Sequence, residues 1–219
     1  MTPEQRYCFD TAGFLVVPAA LGPQEVQRAR GGDLSFLSAH PSSKVYLDTL
    51  SSEDAALVEP VRELDPAASL RGGYDPRNIS AGFVWPPSER RCNRLQLLWA
   101  LDGQTAGSGA DCADESQPDD GGWIVYPASH LSNCLAPAAV LAGGPSAHRR
   151  RPALRPGDLI VCAGGLLCGL LPIGSDTPPR FVTAEYSAAG SPSPGATKTN
   201  TSVWALNLVI SVLNLTGFP

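Results

Sequence analysis

Short apolar runs, separated by turn-forming residues, dominate the pattern along this chain. Residues 95–101, 123–126 and 158–162 have the near-continuous hydrophobicity of buried strands, and residues 181–186 alternate apolar and polar side chains like a half-exposed strand. A further apolar run, residues 14–18, predicts an earlier strand. Strands at such irregular spacing predict a mainly β domain of the jelly-roll class.

Two short helices are predicted on either side of the first strand. Residues 2–5 form a capping-box pattern with Pro3 at the first helical position, and Gly13 follows as a stop signal. A second helix starts in the same way at Gly22 and is expected to end at the glycine pair 31–32. The predicted opening of the chain is therefore helix, strand, helix.

The remaining segments predict connections. Residues 41–80 mix Ser, Pro, Asp and Gly with short apolar stretches, which indicates a variable connection with a helix near residues 53–64. Residues 102–120 carry six acidic side chains and no Lys or Arg, which indicates a solvated loop. Clustered carboxylates can bind Ca²⁺, but their spacing here lacks the EF-hand pattern.

The end of the chain has a different composition. Residues 187–201 are rich in Ser, Pro, Gly and Thr, as in a flexible linker, and the apolar run 203–215 is shorter than the ~20 residues that cross a bilayer. No transmembrane segment is expected. The predicted organisation is one jelly-roll domain over residues 1–188, then a linker and short apolar tail over residues 189–219.

Composition and charge narrow the functional classes. A chain of 219 residues that is 43% hydrophobic can bury one sizeable core, as in a single domain. A net charge of −5 provides no field that attracts phosphate backbones, so nucleic acid is not an expected partner. The first ten residues have no basic and apolar signal pattern, so we expect a cytoplasmic protein with reduced thiols. Six Cys without a CxxC pair and three His argue against a structural zinc site.

Several segments together resemble the phytanoyl-CoA dioxygenase family of Fe(II)/2-oxoglutarate oxygenases, in both order and spacing. The similarity covers most of residues 2–188 and is most specific where a Gly-Gly pair precedes the Pro127-Ala128-Ser129-His130 turn. The resembling segments are residues 10–18, 21–26, 98–102, 121–130, 156–161, 166–169 and 179–182. The resemblance implies a double-stranded β-helix with flanking N-terminal helices, and a small molecule as its partner.

The iron ligands of that family are missing from this sequence. Its chemistry needs two His and one carboxylate on one face of the metal ion, which leaves positions open for 2-oxoglutarate and O₂. By resemblance the His-x-Asp pair should lie within residues 79–87, but this stretch contains neither His nor carboxylate. Cys168 stands where the distal His is expected. Fe(II) and 2-oxoglutarate are therefore expected as cofactors only if the family activity survives.

Two further side chains have roles implied by the resemblance. Arg180 lies where the family places the guanidinium that binds the distal carboxylate of 2-oxoglutarate, a task suited to a planar fork of donors. The alternative for Arg180 is a surface arginine at a strand edge. His130 ends the Pro-x-Ser-His turn, where a hydrogen-bonding role is predicted and not iron ligation.

Three functional hypotheses remain open from the sequence. The first is an oxygenase-fold protein that is no longer catalytic and acts as a small-molecule-binding or interaction module. The second is an active 2-oxoglutarate-dependent hydroxylase of a lipid or other small molecule, with non-standard ligands such as His130 and Asp119 or Asp120. The third is another jelly-roll class such as the cupins, which the scarcity of His disfavours.

Overall fold

A computed structural model of the chain provides the fold. It describes residues 2–40, 55–65, 70–74, 83–84, 91–92, 94–104, 122–142, 146, 148–171 and 179–188. The helices are α1 (Pro3–Ala12), α2 (Pro23–Arg30) and the short α3 (Ala138–Leu141), with single 3₁₀ turns at Leu37–Ala39 and Ser129–Leu131. The strands are β1 (Phe14–Val17), β2 (Ala55–Glu63), β3 (Phe83–Val84), β4 (Arg91–Cys92), β5 (Arg94–Ala100), β6 (Gly122–Val125), β7 (Leu159–Ala163), β8 (Cys168–Leu171) and β9 (Phe181–Ala188).

The chain is mainly β, and the pairings between its strands are antiparallel. Five strands form the large sheet in the order β1-β7-β5-β9-β2, and β6 pairs with β8 in a second sheet. A separate pair joins β3 to β4. The predicted strands at 14–18, 95–101, 123–126 and 158–162 are thus confirmed to within a residue or two at their ends.

The core lies on both faces of the large sheet. On one face, Leu98, Ala100 and Phe181 pack against Trp123 and Leu170 of the second sheet. On the other face, alternate side chains of the same strands pack beneath the helices; these are Leu95, Leu97, Trp99, Val182 and Ala184, against Phe9, Val26 and Ala29. Because successive side chains of a strand point to opposite faces, burial on both faces explains the continuous apolar runs.

The helix boundaries follow from local hydrogen bonds. The Gln5 N–H donates to Thr2 Oγ1 (3.1 Å) and the Thr2 N–H donates to Gln5 Oε1 (2.9 Å), which completes the predicted capping box. Gly13 closes α1 with φ = 82°, a left-handed conformation that glycine adopts without a steric penalty. At the start of α2 the Gly22 N–H donates to Glu25 Oε2 (2.8 Å). Both predicted helices are confirmed.

The helix predicted near residues 53–64 was wrong, because this segment forms the edge strand β2. The pairing of β2 with β9 shifts register between Glu59 and Arg62, around Pro60. Proline has no N–H to donate and is tolerated in edge strands and at irregularities, whereas inside a helix it would break the ladder. The pairing partner of β2 lies more than a hundred residues away in the chain, so the local pattern could not reveal it.

Two other expectations need correction. The alternating strand at 181–186 is not half-exposed: Thr183 is 3% exposed, and Phe181 on the same strand face packs with residues of the second sheet. The start of the acidic segment is only partly solvated, since Asp102 pairs with Arg30 (2.8 Å) with its side chain 33% exposed and Gln104 is buried. Gln104 donates to the carbonyls of Trp123 and Pro152 and accepts from the Trp123 N–H.

The rest of the acidic segment, residues 105–120, and the linker and tail predicted for residues 189–219 lie outside the described residues. None of the helices within the described ranges is both long and apolar enough to cross a membrane.

Candidate functional site

Polar side chains interrupt the apolar core at one end of the space between the two sheets. Arg94 and Gln96 precede Leu98 on β5 at two-residue spacing, so all three side chains share the face toward the second sheet. Gln96 lies directly opposite Glu185 on β9, and Leu98 lies opposite Thr183. We call Arg94, Gln96, Cys168, Thr183 and Glu185 the inter-sheet cluster.

The members of the cluster contact one another. The Gln96 Nε2 group donates to Thr183 Oγ1 (3.2 Å), and the Cys168 thiol of the second sheet donates to Gln96 Oε1 (3.7 Å). Arg94 Nε forms an ion pair with Glu185 Oε1 (2.9 Å). These contacts link three strands and both sheets through polar groups.

The solvent exposure of the cluster's side chains decreases from the charged pair toward the interior. The side chains of Arg94 and Glu185 are 11% and 16% exposed. Thr183 and Cys168 are each 3% exposed and lie deeper. Solvent therefore reaches the charged pair but not the groups behind it.

Cys168 lies next to a second buried thiol, that of Cys162 on β7. A hydrogen bond with the Cys168 thiol, and then burial, raise the pKa of Cys162 well above its ordinary range. Both cysteines are free, and neither is more than 3% exposed. Cys162 is therefore a protonated thiol at neutral pH and not a ready thiolate ligand.

The backbone beside Cys168 comes from residues 70–74. The Arg71 N–H donates to the Cys168 carbonyl (2.7 Å), and the Cys168 N–H donates to the Arg71 carbonyl (2.9 Å). The His-x-Asp position was instead expected within residues 79–87. Of these, residues 79–82 and 85–87 lie outside the described part of the chain, and Phe83–Val84 form β3.

Arg180 lies on the other side of the large sheet. Its guanidinium pairs with Glu63 (Nε to Oε1, 2.6 Å), and Nη2 also donates to the Arg30 carbonyl (3.3 Å). Glu63 is opposite Val182, which packs beneath the helices, so this ion pair is on the helix side. Hydrogen bonding to Glu63 raises the pKa of Arg180 further. The structure thus separates Arg180 from Cys168, and binding of 2-oxoglutarate by Arg180 stays a prediction.

His130 is buried in the turn where the sequence placed it. Its Nε2 donates to the Asp10 carbonyl (3.1 Å), and the neighbouring Ser129 Oγ accepts from the Leu167 N–H (2.8 Å). The turn thereby joins the end of α1 to the start of β8. The predicted hydrogen-bonding role of His130 is confirmed.

The described side chains do not suit an iron ion. Within the described ranges, no group of three or more His, Cys, Asp or Glu side chains is placed to hold a metal. In the inter-sheet cluster the carboxylate of Glu185 is paired with Arg94, and Gln96 and Thr183 contribute a neutral amide and a hydroxyl. A facial iron site needs two imidazoles and a carboxylate, so this donor set does not fit it.

Comparison with known proteins identifies solved structures that have a similar fold. No protein-family model and no curated protein matches the sequence. HygX from Streptomyces hygroscopicus, solved with nickel, 2-oxoglutarate and hygromycin B, has 20% identity and a TM-score of 0.65, over 87% of this chain and 88% of that chain. EctD from S. alaskensis, with 2-oxoglutarate and 5-hydroxyectoine, has 14% identity and a TM-score of 0.55, over 89% and 78%.

A third structure, the epimerase SnoN in complex with Fe3+, alpha ketoglutarate and nogalamycin RO, has 15% identity and a TM-score of 0.51, over 85% of this chain and 83% of that chain. The chain has the fold of these proteins. At this level of identity the likeness extends to the arrangement of the strands and not to the chemistry, which depends on the side chains at the site.

Proposed function

We propose that this chain is a non-catalytic, phytanoyl-CoA-dioxygenase-like protein that binds a small molecule between the sheets of a double-stranded β-helix, or jelly roll. The domain spans residues 1–188, and residues 189–219 are a linker and apolar tail. The observation that carries the proposal is the inter-sheet cluster. At the position where the resemblance expects the distal His, the Cys168 thiol hydrogen-bonds Gln96 in a network of neutral groups.

This network supports binding and not oxidation. The cluster consists of a thiol hydrogen-bonded to an amide and an amide hydrogen-bonded to a hydroxyl. It therefore offers no pair of imidazoles to Fe(II). The charged pair of Arg94 and Glu185 is instead suited to recognising a polar ligand at the edge of an apolar core. HygX, SnoN and EctD have each been solved with small molecules bound, which supports a small-molecule partner for the same fold.

The purified chain is expected neither to retain Fe(II) nor to convert 2-oxoglutarate to succinate. After anaerobic incubation with Fe(II) and desalting, metal analysis should find far less than one iron per chain. HygX, which has been solved with iron bound, serves as the positive control for iron binding. The Cys168→His variant should not restore turnover, because one imidazole still lacks its two partner ligands. Stoichiometric iron together with metal-dependent succinate formation would contradict the proposal and favour an active hydroxylase.

The prediction for Arg180 has a test of its own, because Glu63 occupies the same guanidinium. If Arg180 binds a carboxylate of 2-oxoglutarate, Glu63→Gln should raise the affinity for 2-oxoglutarate by up to about fivefold, as expected for loss of a competing surface ion pair. Arg180→Lys should lower it, since the bidentate fork is lost. Calorimetric titration in metal-free buffer measures both effects. Unchanged affinity in both variants would remove Arg180 from the site.

A further inference from the structure

Arg94 presents unused hydrogen-bond donors toward the space between the sheets. Its ion pair with Glu185 involves Nε, at 2.9 Å. Neither Nη nitrogen donates a hydrogen bond to any residue that the structure describes. The side chain as a whole is 11% exposed, and neither Nη nitrogen is among the buried polar atoms that lack a hydrogen-bond partner, so solvent reaches this end of the guanidinium.

Such an arrangement favours an anionic ligand. A guanidinium has five N–H donors in a fixed fork, and those that solvent reaches are open to a ligand. The side of the fork that includes Nε is engaged by Glu185, which leaves the Nη1 and Nη2 end for a second partner. Two parallel N–H groups at that end match the two oxygens of a carboxylate.

A second donor lies on the same face of β5. Gln96 is two residues beyond Arg94, about 7 Å away along the strand. Its amide group uses one N–H on Thr183 Oγ1, and its carbonyl accepts from the Cys168 thiol. The second amide N–H donates to no acceptor in the described part of the chain, so it can serve a ligand oxygen. These contacts also hold the amide in one orientation.

We propose that Arg94 and Gln96 form a metal-independent binding site for a small hydroxycarboxylic acid. The carboxylate binds the Nη end of Arg94, and the hydroxyl oxygen accepts from the free N–H of Gln96. Glu185 and Thr183 are positioning residues that hold the guanidinium and the amide. The inference rests on the proposed function and names the ligand class for its site.

Glu185 gives the site a distinctive response to mutation. Its carboxylate orients Arg94 but also repels a second carboxylate, since like charges at a shared partner oppose one another. Glu185→Gln keeps a hydrogen-bond acceptor beside Nε and removes the charge. This substitution should therefore strengthen the binding of a carboxylate, which a purely structural ion pair would not do.

The test is titration of the full chain with 3-hydroxybutyrate in buffer containing EDTA, followed by ligand-observed NMR. We expect saturable binding that weakens at least about tenfold in Arg94→Lys, because the lysine ammonium cannot bind bidentately. Glu185→Gln should bind more tightly than the native chain. Butyrate, which lacks the hydroxyl, should bind more weakly than 3-hydroxybutyrate, and Gln96→Met should abolish this difference. Arg28→Lys, on the exposed side of α2, is the matched control and should leave binding unchanged.

Circular dichroism of each variant establishes that it is folded. Absence of saturable binding by the folded native chain would overturn the inference. So would loss of binding in Arg180→Lys with retention in Arg94→Lys, which would place the carboxylate at the other guanidinium. Because EDTA is present throughout, these results are independent of the iron and succinate assays. The non-catalytic proposal can therefore fail or stand separately from this one.

Discussion

Replacing Gly157 by alanine is expected to lower the free energy of unfolding by about 3 kcal/mol. Gly157 has φ = 93°, and a Cβ at this position would lie 2.5 Å from the Leu21 carbonyl oxygen. The Gly157 carbonyl accepts from the Leu21 N–H (2.9 Å), and the Gly157 N–H donates to Ala100 (2.8 Å). The backbone therefore cannot withdraw from the collision without losing these bonds, which attach the segment before α2 to the large sheet.

Gly32→Ala is the matched control for this prediction. Gly32 has φ = 90°, but a Cβ there would meet no atom within 4 Å. Its substitution should therefore cost only the backbone strain of the left-handed region, about 1 kcal/mol. Urea denaturation of both variants measures the two losses. Equal losses would show that the contact with Leu21 relaxes and that our account of the turn is wrong.

Arg94→Ala is expected to cost about 3 kcal/mol of stability, because it removes the cation that pairs with the Glu185 carboxylate at the edge of the core. The value is at the low end for broken buried pairs, since both side chains still touch solvent. A urea denaturation series at neutral pH measures it. The expected loss is also why the binding test above uses lysine, which retains a positive charge beside Glu185.

The double variant Arg94→Met with Glu185→Leu should be more stable than Arg94→Ala alone. Removal of both charges leaves neither member of this ion pair behind, and apolar side chains of similar length suit the neighbouring core. If the double variant loses more stability than Arg94→Ala, the pair contributes more than mutual compensation of charge. In that case the main role of Arg94 would be structural, and ligand binding would be secondary.

The cluster that we consider the site was largely missed from the sequence. Arg94 and Gln96 stand at alternate positions just before the apolar run of β5, which is the available signal. Thr183 and Glu185 lie at alternate positions of β9, but from the sequence this alternation predicts a half-exposed strand. In the structure the polar side chains of β5 and β9 lie next to one another, on the sheet face that the second sheet covers. A local pattern cannot distinguish a face covered by water from one covered by another sheet.

Arg180 shows a second limit of prediction from local sequence. Its spacing after Cys168 matched the resembling family, but residue spacing across a loop does not determine the face on which a side chain emerges. Phe181 begins the inward-facing row of β9, so its neighbour Arg180 extends to the helix side and meets Glu63. The cysteine and the arginine are close in sequence and lie on different sides of the sheet.

The sequence alone determined the elements whose signals are local. The capping box at Thr2 and Gln5, the stop at Gly13 and the apolar runs of β5 and β7 each depend on interactions within a few residues or on uniform burial. Only the tertiary structure decided that residues 55–63 are a strand, that Arg94 meets Glu185, and that Arg180 turns away from Cys168. These outcomes depend on partners about 90 or more residues distant or on the opposite sheet, and such pairings carry no signature in a short window of sequence.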